Sequence, residues 1–477
     1  MSDKDPSAAV DDELHDMSKK SFKSVSGVQN TALWTIYALI VLYALCYQLQ
    51  RPVEPLLVEY LVKQKSSYLD YHGQDARREV SQSYGRLESF FSAIQTLGSP
   101  LVGTILDKYG PRITFIIVYA ACALSYGILT HAKSMRMLFI SKIPTTFQHA
   151  FLVAQAAAAS CTSGDAASRA EALGRMTTAY TIGSTLGPAV GGKIAANGDF
   201  YRGAYWAVSG SILCIILSWI YLPTNQIDQG RKSHSKDSKI NTSPSSHQYH
   251  SSTSSLGKVN DILRKRCLWP YLGAKFCSGI ASSIYQTTLP LVLTQNLRFN
   301  SSLLGLSMSF SSAVVGLMSA FALKPLTAKV GTSNMMLSGL IGRLLFISLV
   351  SLAVTFNTLE SDTSSIASIS NWRIKGVILS SIFYSVFSHI LATSMTTQTT
   401  GMVDSSEQGT LMGVEHGIFS IARIVGPPLG AYLYANAKSG SYWSIASSCI
   451  IIDGYLLYIF VGRFSARTTV DSREANE

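Results

Sequence analysis

Several charged and titratable side chains of this sequence lie inside stretches otherwise apolar enough to sit in lipid. Lys142, Thr145, Thr146 and His149 recur at the three- and four-residue spacing of one helical face, and Lys275, Ser278, Ser282 and Gln286 do the same. Glu415 and His416 are neighbours with Arg423 further along, and His389 leads into the hydroxyl-rich run ATSMTTQTT. Arg51 and Glu54 sit one turn apart in RPVEPLLVEY. A charge in a membrane helix costs at least about 2.5 kcal/mol on insertion scales, so each needs a partner or a task. Two tasks fit: internal pairing for stability, or lining a polar route across the membrane. The chemistry available is solute binding and proton carriage, because histidine titrates near neutral pH and a glutamate can be shifted there. Glu54, Lys142, His149, Lys275, Gln286, His389, Glu415, His416 and Arg423 are therefore the candidate solute and proton pathway. Arg51, Arg86 and Glu88 fall near a segment end, where snorkelling suffices. No paired carboxylates, activated nucleophile or metal-ligand set points to an enzyme, and no cofactor or metal is implied.

The elements that must position these groups follow from composition. Charged residues make up 14% of the 477 positions, against about 25% in soluble domains, so a soluble surface of this size would be short of charge. A crossing helix needs about 20 mostly apolar residues. Twelve segments qualify: 31–62, 82–106, 112–131, 136–160, 172–196, 202–222, 267–296, 302–323, 333–356, 374–400, 409–436 and 441–464. The expected class is an all-α membrane protein with twelve transmembrane helices in two six-helix halves. The halves are 31–222 and 267–464, with tails at 1–30 and 465–477.

Between the halves, residues 223–266 hold ten serines, three histidines and eight Lys/Arg, which reads as a solvated, disordered linker. The net charge of +11 carries no nucleic-acid motif, and its basic residues flank the apolar runs. Lys/Arg are more numerous on the side holding the tails and linker, which places both termini in the cytosol. Which membrane is occupied is left open, plasma membrane or an endomembrane. The seven cysteines are scattered without a CxxC pair and read as buried thiols. Asn300-Ser301-Ser302 is a glycosylation sequon with little room, because it abuts the eighth segment.

An internal repeat joins the halves. Asp165/Asp404, Gly174/Gly413, Gly187/Gly426, Pro188/Pro427 and Gly191/Gly430 all recur at one ungapped spacing. A weaker echo links LDKYG (Asp107 to Gly110 within it) with TAKVG, where Ala328 replaces the acid. Two repeated halves with a site between them near the midplane is a transporter arrangement. A Gly-Pro-x-x-Gly-Gly stripe strips side chains from one helix face and removes a backbone donor, permitting close packing and a bend. Gly183, Gly187, Pro188, Gly191, Gly192, Gly426, Pro427 and Gly430 are the expected bend-and-seal residues.

GTILDKYGPR resembles the loop 2–3 signature of the major facilitator superfamily, with Gly103, Asp107, Lys108, Gly110 and Arg112 matching. GSTLGPAVGG resembles the fifth-segment signature of its drug:proton antiporter branch. FISKIPTTFQHAFLVAQ, RAEALGRM and GTLMGVEHGIFSIARIVGPPLGAYLY look most like its organic cation transporter-like, tetracycline-resistance-like group (solute carrier family 22 member 18 type). Lys142 stands where that group carries arginine, which keeps the charge but loses the planar fork. The resemblance implies a monomeric antiporter in the bilayer, moving an organic cation or drug-like solute by alternating access, in exchange for protons as in that branch. No nucleic-acid partner is implied, and an anionic or zwitterionic solute stays open. A non-transporting sensor or scaffold on the same fold is the alternative. Asp107 faces the negative end of its own helix, so it is expected to latch onto the N-terminus of the eleventh segment around 408–412.

Overall fold

A computed structural model describes residues 31–65, 74–161, 166–222, 268–360, 367–403 and 408–436. Regular structure among them is entirely helical. The twelfth segment, both tails and the 223–266 linker lie outside the described residues, as do the half boundaries expected there.

The first crossing consists of α1 (31–49) and α2 (Glu54–Lys65). The helix pauses over 50–53, where Pro52 has no N–H, and the N–H groups of Val53 and Glu54 both return to the Gln50 carbonyl. Next, α3 (Gln74–Leu129) runs 56 residues, about 84 Å at 1.5 Å per residue and more than twice the lipid core. Gly110, at φ 77° and ψ 171°, folds it into two arms, segments 2 and 3. Gly331 (φ 82°) makes the same reversal in the second half, so the LDKYG/TAKVG echo is one of backbone shape.

The fourth segment departs from the expected continuous helix. It is α4 (Met135–Lys142), a 3-10 turn (Ile143–Phe147) containing Pro144, and α5 (Ala150–Cys161). Lys142 and His149 therefore do not share one regular helical face. Gly98 makes room for this break, since a Cβ there would collide with the Thr146 carbonyl.

Then follow α6 (Ala166–Ile194), α7 (Arg202–Tyr221) and α8 (Trp269–Leu291), the last ending in a π turn (Val292–Asn296). α9 (Ser301–Leu317) leads through another π turn into α10 (Leu323–Val330), followed by α11 (Thr332–Glu360), α12 (Ala367–Thr400) and α13 (Gln408–Asn436). Asn300 caps α9, its side chain accepting from the Leu303 N–H at 2.9 Å.

Seven helical stretches among the described residues are long and apolar enough to cross a membrane. α7 exposes Trp206, Ile212, Ile216, Trp219 and Ile220, an outward apolar face suited to lipid. Inside each half the glycine stripe does its packing. A Cβ at Gly183, Gly187 or Gly191 of α6 would strike Val41, Gln48 or Leu49 of α1. One at Gly426 or Gly430 of α13 would strike Ser283 or Ile284 of α8. Across the halves, the main contacts are α3 with α13 and α6 with α9.

Candidate solute cavity and its seal

The cross-half contacts sit toward the bundle end that carries Gly198. Each places a proline carbonyl against a glycine of the other half: Pro427 against Gly85, and Pro188 against Gly305. Four residues on, Ser89 and Ser309 complete the contact. Ser89 Oγ donates to the Ile424 carbonyl at 2.6 Å, and the Ala189 N–H donates to Ser309 Oγ at 2.7 Å. Gly192 adds a close approach to Ser301, whose Oγ donates to the Gly192 carbonyl at 3.0 Å.

Toward the Gly110/Gly331 end the halves separate. A Cβ at Gly103, Gly174 or Gly413 would meet open space. Asp107 is exposed and pairs with no group among the described residues, so the latch with α13 is not made in this conformation. Lys108 lies 5.1 Å from the Tyr109 ring; Arg112 donates to the Trp219 carbonyl and stands 5.0 Å from that indole.

Between the halves opens a cavity of about 720 Å³. α1 supplies Tyr43 and Tyr47, and the first arm of α3 supplies Ser92, Gln95 and Thr96. The broken fourth segment supplies Gln148, His149 and Gln155, α6 supplies Tyr180, and α13 supplies His416, Ser420 and Arg423. The break is what turns Gln148 and His149, consecutive in sequence, into this wall. A second cavity of about 30 Å³ adjoins it, sharing Tyr47 and Gln148, and is lined by Glu54 and Lys142. Those two pair at 2.5 Å, and Lys142 Nζ also lies 5.4 Å from the Phe91 ring. Nearby, Arg51 pairs with Glu88 at 2.9 Å.

The convergence is narrower than expected from segments 4, 7, 10 and 11. Only the fourth and eleventh bring candidate residues to the large cavity: His149, His416 and Arg423. Lys275 (α8) and Glu415 (α13) form an ion pair away from its lining. Thr399 donates to Glu415 at 2.5 Å, and Lys275 donates to Thr396 and Thr399 at 3.1 and 3.3 Å, tying α12 to both. Gln286 is exposed on α8 and His389 half-buried on α12, and neither lines either cavity.

Sequence reasoning passed over Arg343, which is fully buried on α11. Its guanidinium donates to Ser278 Oγ at 2.6 Å and to the Tyr384 hydroxyl at 3.2 Å. It also missed Gly85 and Ser89, although YGRLESF and LGLSMSF align Gly85 with Gly305 and Ser89 with Ser309. That short repeat was the available signal.

Two repeated halves that touch at one end and part at the other around a polar cavity form a transporter's geometry. The sequence profile of the Major Facilitator Superfamily matches residues 80–358 and 271–476. The chain belongs to the major facilitator superfamily. Solute carrier family 22 member 18 of Rattus norvegicus is 23% identical over 362 residues, covering 75% of this chain and 80% of that protein. The class G tetracycline resistance protein of Vibrio anguillarum is 23% identical over 385 residues, covering 80% and 86%. Among solved structures, a mutant of the nucleoside transporter NupG superposes with a TM-score of 0.66 at 12% identity, covering 91% of this chain and 100% of that one. The human organic anion transporter MFSD10 superposes with a TM-score of 0.56 at 17% identity, covering 90% and 99%. These likenesses establish the fold as that of the major facilitator superfamily: a multi-pass membrane transporter of small organic solutes, in the lineage of drug-resistance efflux proteins.

Proposed function

We propose that this major facilitator protein is a monomeric secondary antiporter that moves a drug-like organic solute by alternating access in exchange for protons. One observation carries the reading: a solute-sized cavity lies between the halves, closed by paired helix contacts at one end and open at the other. The Lys/Arg distribution supports an orientation with the open end, the tails and the linker in the cytosol. The conformation described is then inward-open, with Asp107 released from its latch. Organic cations, which the family likeness suggests, and other drug-like amphiphiles are both within this reading; tetracycline resistance proteins among the relatives support the drug-like class.

Glu54, His149, Glu415 and His416 are the proposed proton carriers. The Glu54–Lys142 cavity is large enough for a water and abuts the solute cavity at Gln148, next to His149. Glu415 adjoins the cavity-lining His416. A proton arriving on Glu54 or Glu415 would neutralise the partner of Lys142 or Lys275 and loosen that pair, the kind of event that biases a two-state bundle. Lys275 is assigned to the second half's supporting polar layer, where it ties Glu415 to α12.

Uptake into proteoliposomes across a solute panel, with and without a pH gradient, tests the reading. Accumulation should follow the gradient, and neutral replacements at the four carriers should abolish it while solute exchange continues. An intact pH dependence in all four variants and in their combination would remove proton coupling through these groups. No uptake of any solute would favour the sensor or scaffold alternative.

A further inference from the structure

We infer that the transported solute carries an anionic group, held by Arg423, while its apolar body lies against the tyrosines that line the same cavity. The inference rests on the transport reading above and narrows its substrate.

It follows from where the charges go. Among the described residues, three embedded acids are already taken: Glu54 by Lys142, Glu88 by Arg51 and Glu415 by Lys275. Arg423 has none of them. It sits halfway along α13, half-buried in the cavity wall, and makes no hydrogen bond or ion pair among the described residues. A guanidinium at that depth without a counter-charge is expensive. Its five donors form a planar fork matched to carboxylate, sulfonate or phosphate oxygens.

The described lining around it offers no other solution. Among the described residues no Asp or Glu lines it, and the titratable groups there besides tyrosine and Arg423 itself are His149 and His416, which can add donors or positive charge but no negative charge. His149 Nε2 is buried without a partner among the described residues, a second polar atom left over in the same wall. Walls of low dielectric concentrate the field of such an uncompensated cation on whatever enters. The first half contributes Tyr43, Tyr47 and Tyr180 to the same lining, aromatic groups suited to an aromatic or alicyclic body. A zwitterion satisfies this site as well as an anion does. A quaternary ammonium ion has only the tyrosine faces, and must sit near Arg423 with no acid to offset it.

The test uses the full-length protein in detergent and in proteoliposomes. The panel is one- and two-ring aromatic carboxylates, sulfonates, zwitterionic amphiphiles and quaternary ammonium ions, read by thermal stabilisation and by counterflow. Members with an anionic group should stabilise and be transported, and Arg423→Gln should lower both their apparent affinity and uptake by about tenfold or more, the size expected for losing a charge-assisted bidentate contact. Arg423→Lys should recover part of the loss, and Arg423→Glu should shift preference toward the quaternary ammonium ions. As a check that needs no variant, phenylglyoxal labelling at Arg423, read by mass spectrometry on the wild-type protein, should slow with anionic members and not with cationic ones. Transport of quaternary ammonium ions unaffected by Arg423→Gln, with no protection by anions, would overturn the inference and leave the transporter reading standing. A panel in which nothing moves or stabilises the protein would overturn both.

Discussion

The two cross-half contacts of the seal share one geometry and differ in chemistry. In both, a proline carbonyl rests on a glycine of the opposite half, and a serine one turn further makes the hydrogen bond. On the α3–α13 side, residue 428 is a second proline. The Ile424 carbonyl therefore has no amide at either 427 or 428 to receive, and Ser89 supplies the missing donor. On the α6–α9 side, the position equivalent to Pro428 is Ala189, which has an N–H, and Ser309 accepts from it. The same serine position thus donates in one contact and accepts in the other, which the single oxygen of a hydroxyl can do. The closing surfaces differ too: Gly192 faces Gly305, whereas its counterpart Ala431 faces Gly85. A repeat preserves the meeting of two backbones while its hydrogen bonding adapts to which half lost an amide.

Adding bulk at the glycines breaks the comparison most severely. Gly85→Val and Gly305→Val each push a side chain into a backbone carbonyl, at the upper end of, or beyond, the roughly 1–3 kcal/mol of overpacking. Both should lose most transport and become accessible to cysteine reagents from the Gly198 end. Gly305→Val should be the worse, since Pro188 and Gly192 both crowd it.

Removing hydroxyls sharpens the comparison. Ser89→Ala leaves the Ile424 carbonyl without its donor, at about 1–3 kcal/mol. Ser309→Ala should cost less, about 0.5–1.5 kcal/mol, because it removes one ordinary hydrogen bond. Thermal unfolding in detergent would rank them. Pro428→Ala restores an amide at that position and should rescue much of Ser89→Ala; absence of rescue would remove the orphaned carbonyl as the cause.

The smallest effect lies at the opposite end. Asp107 is exposed and makes no hydrogen bond or ion pair among the described residues, so Asp107→Asn should leave the stability of this conformation unchanged. It should weaken only the state in which that end closes, by about 0.3–1 kcal/mol for an exposed helix-terminus interaction. Slower turnover with an accessible Gly110 end, measured by cysteine labelling, is the expected result. Unchanged accessibility with full transport would reduce Asp107 to a loop residue.

How much was legible follows a physical divide. The sparse charge and apolar runs determined a membrane bundle, because lipid admits helices of a known length and little else. The ungapped repeat determined two halves, and positive-φ glycines at 110 and 331 marked their reversals, because a backbone shape that excludes side chains leaves its trace in residue type. Helical spacing also picked out residues that need partners: Lys142, Lys275, Glu415 and Arg423. It could not say which partner each would find. Glu54 reaches Lys142 from another helix, Lys275 and Glu415 satisfy each other away from the cavity, and Arg423 is left over among the described residues. The break at Pro144, which sets Gln148 and His149 into the wall, was hidden beneath an apparently regular polar face. Pairing, and the cavity that pairing leaves, depend on distances between helices remote in sequence. Those distances exist only once glycine stripes and proline carbonyls have brought the backbones together.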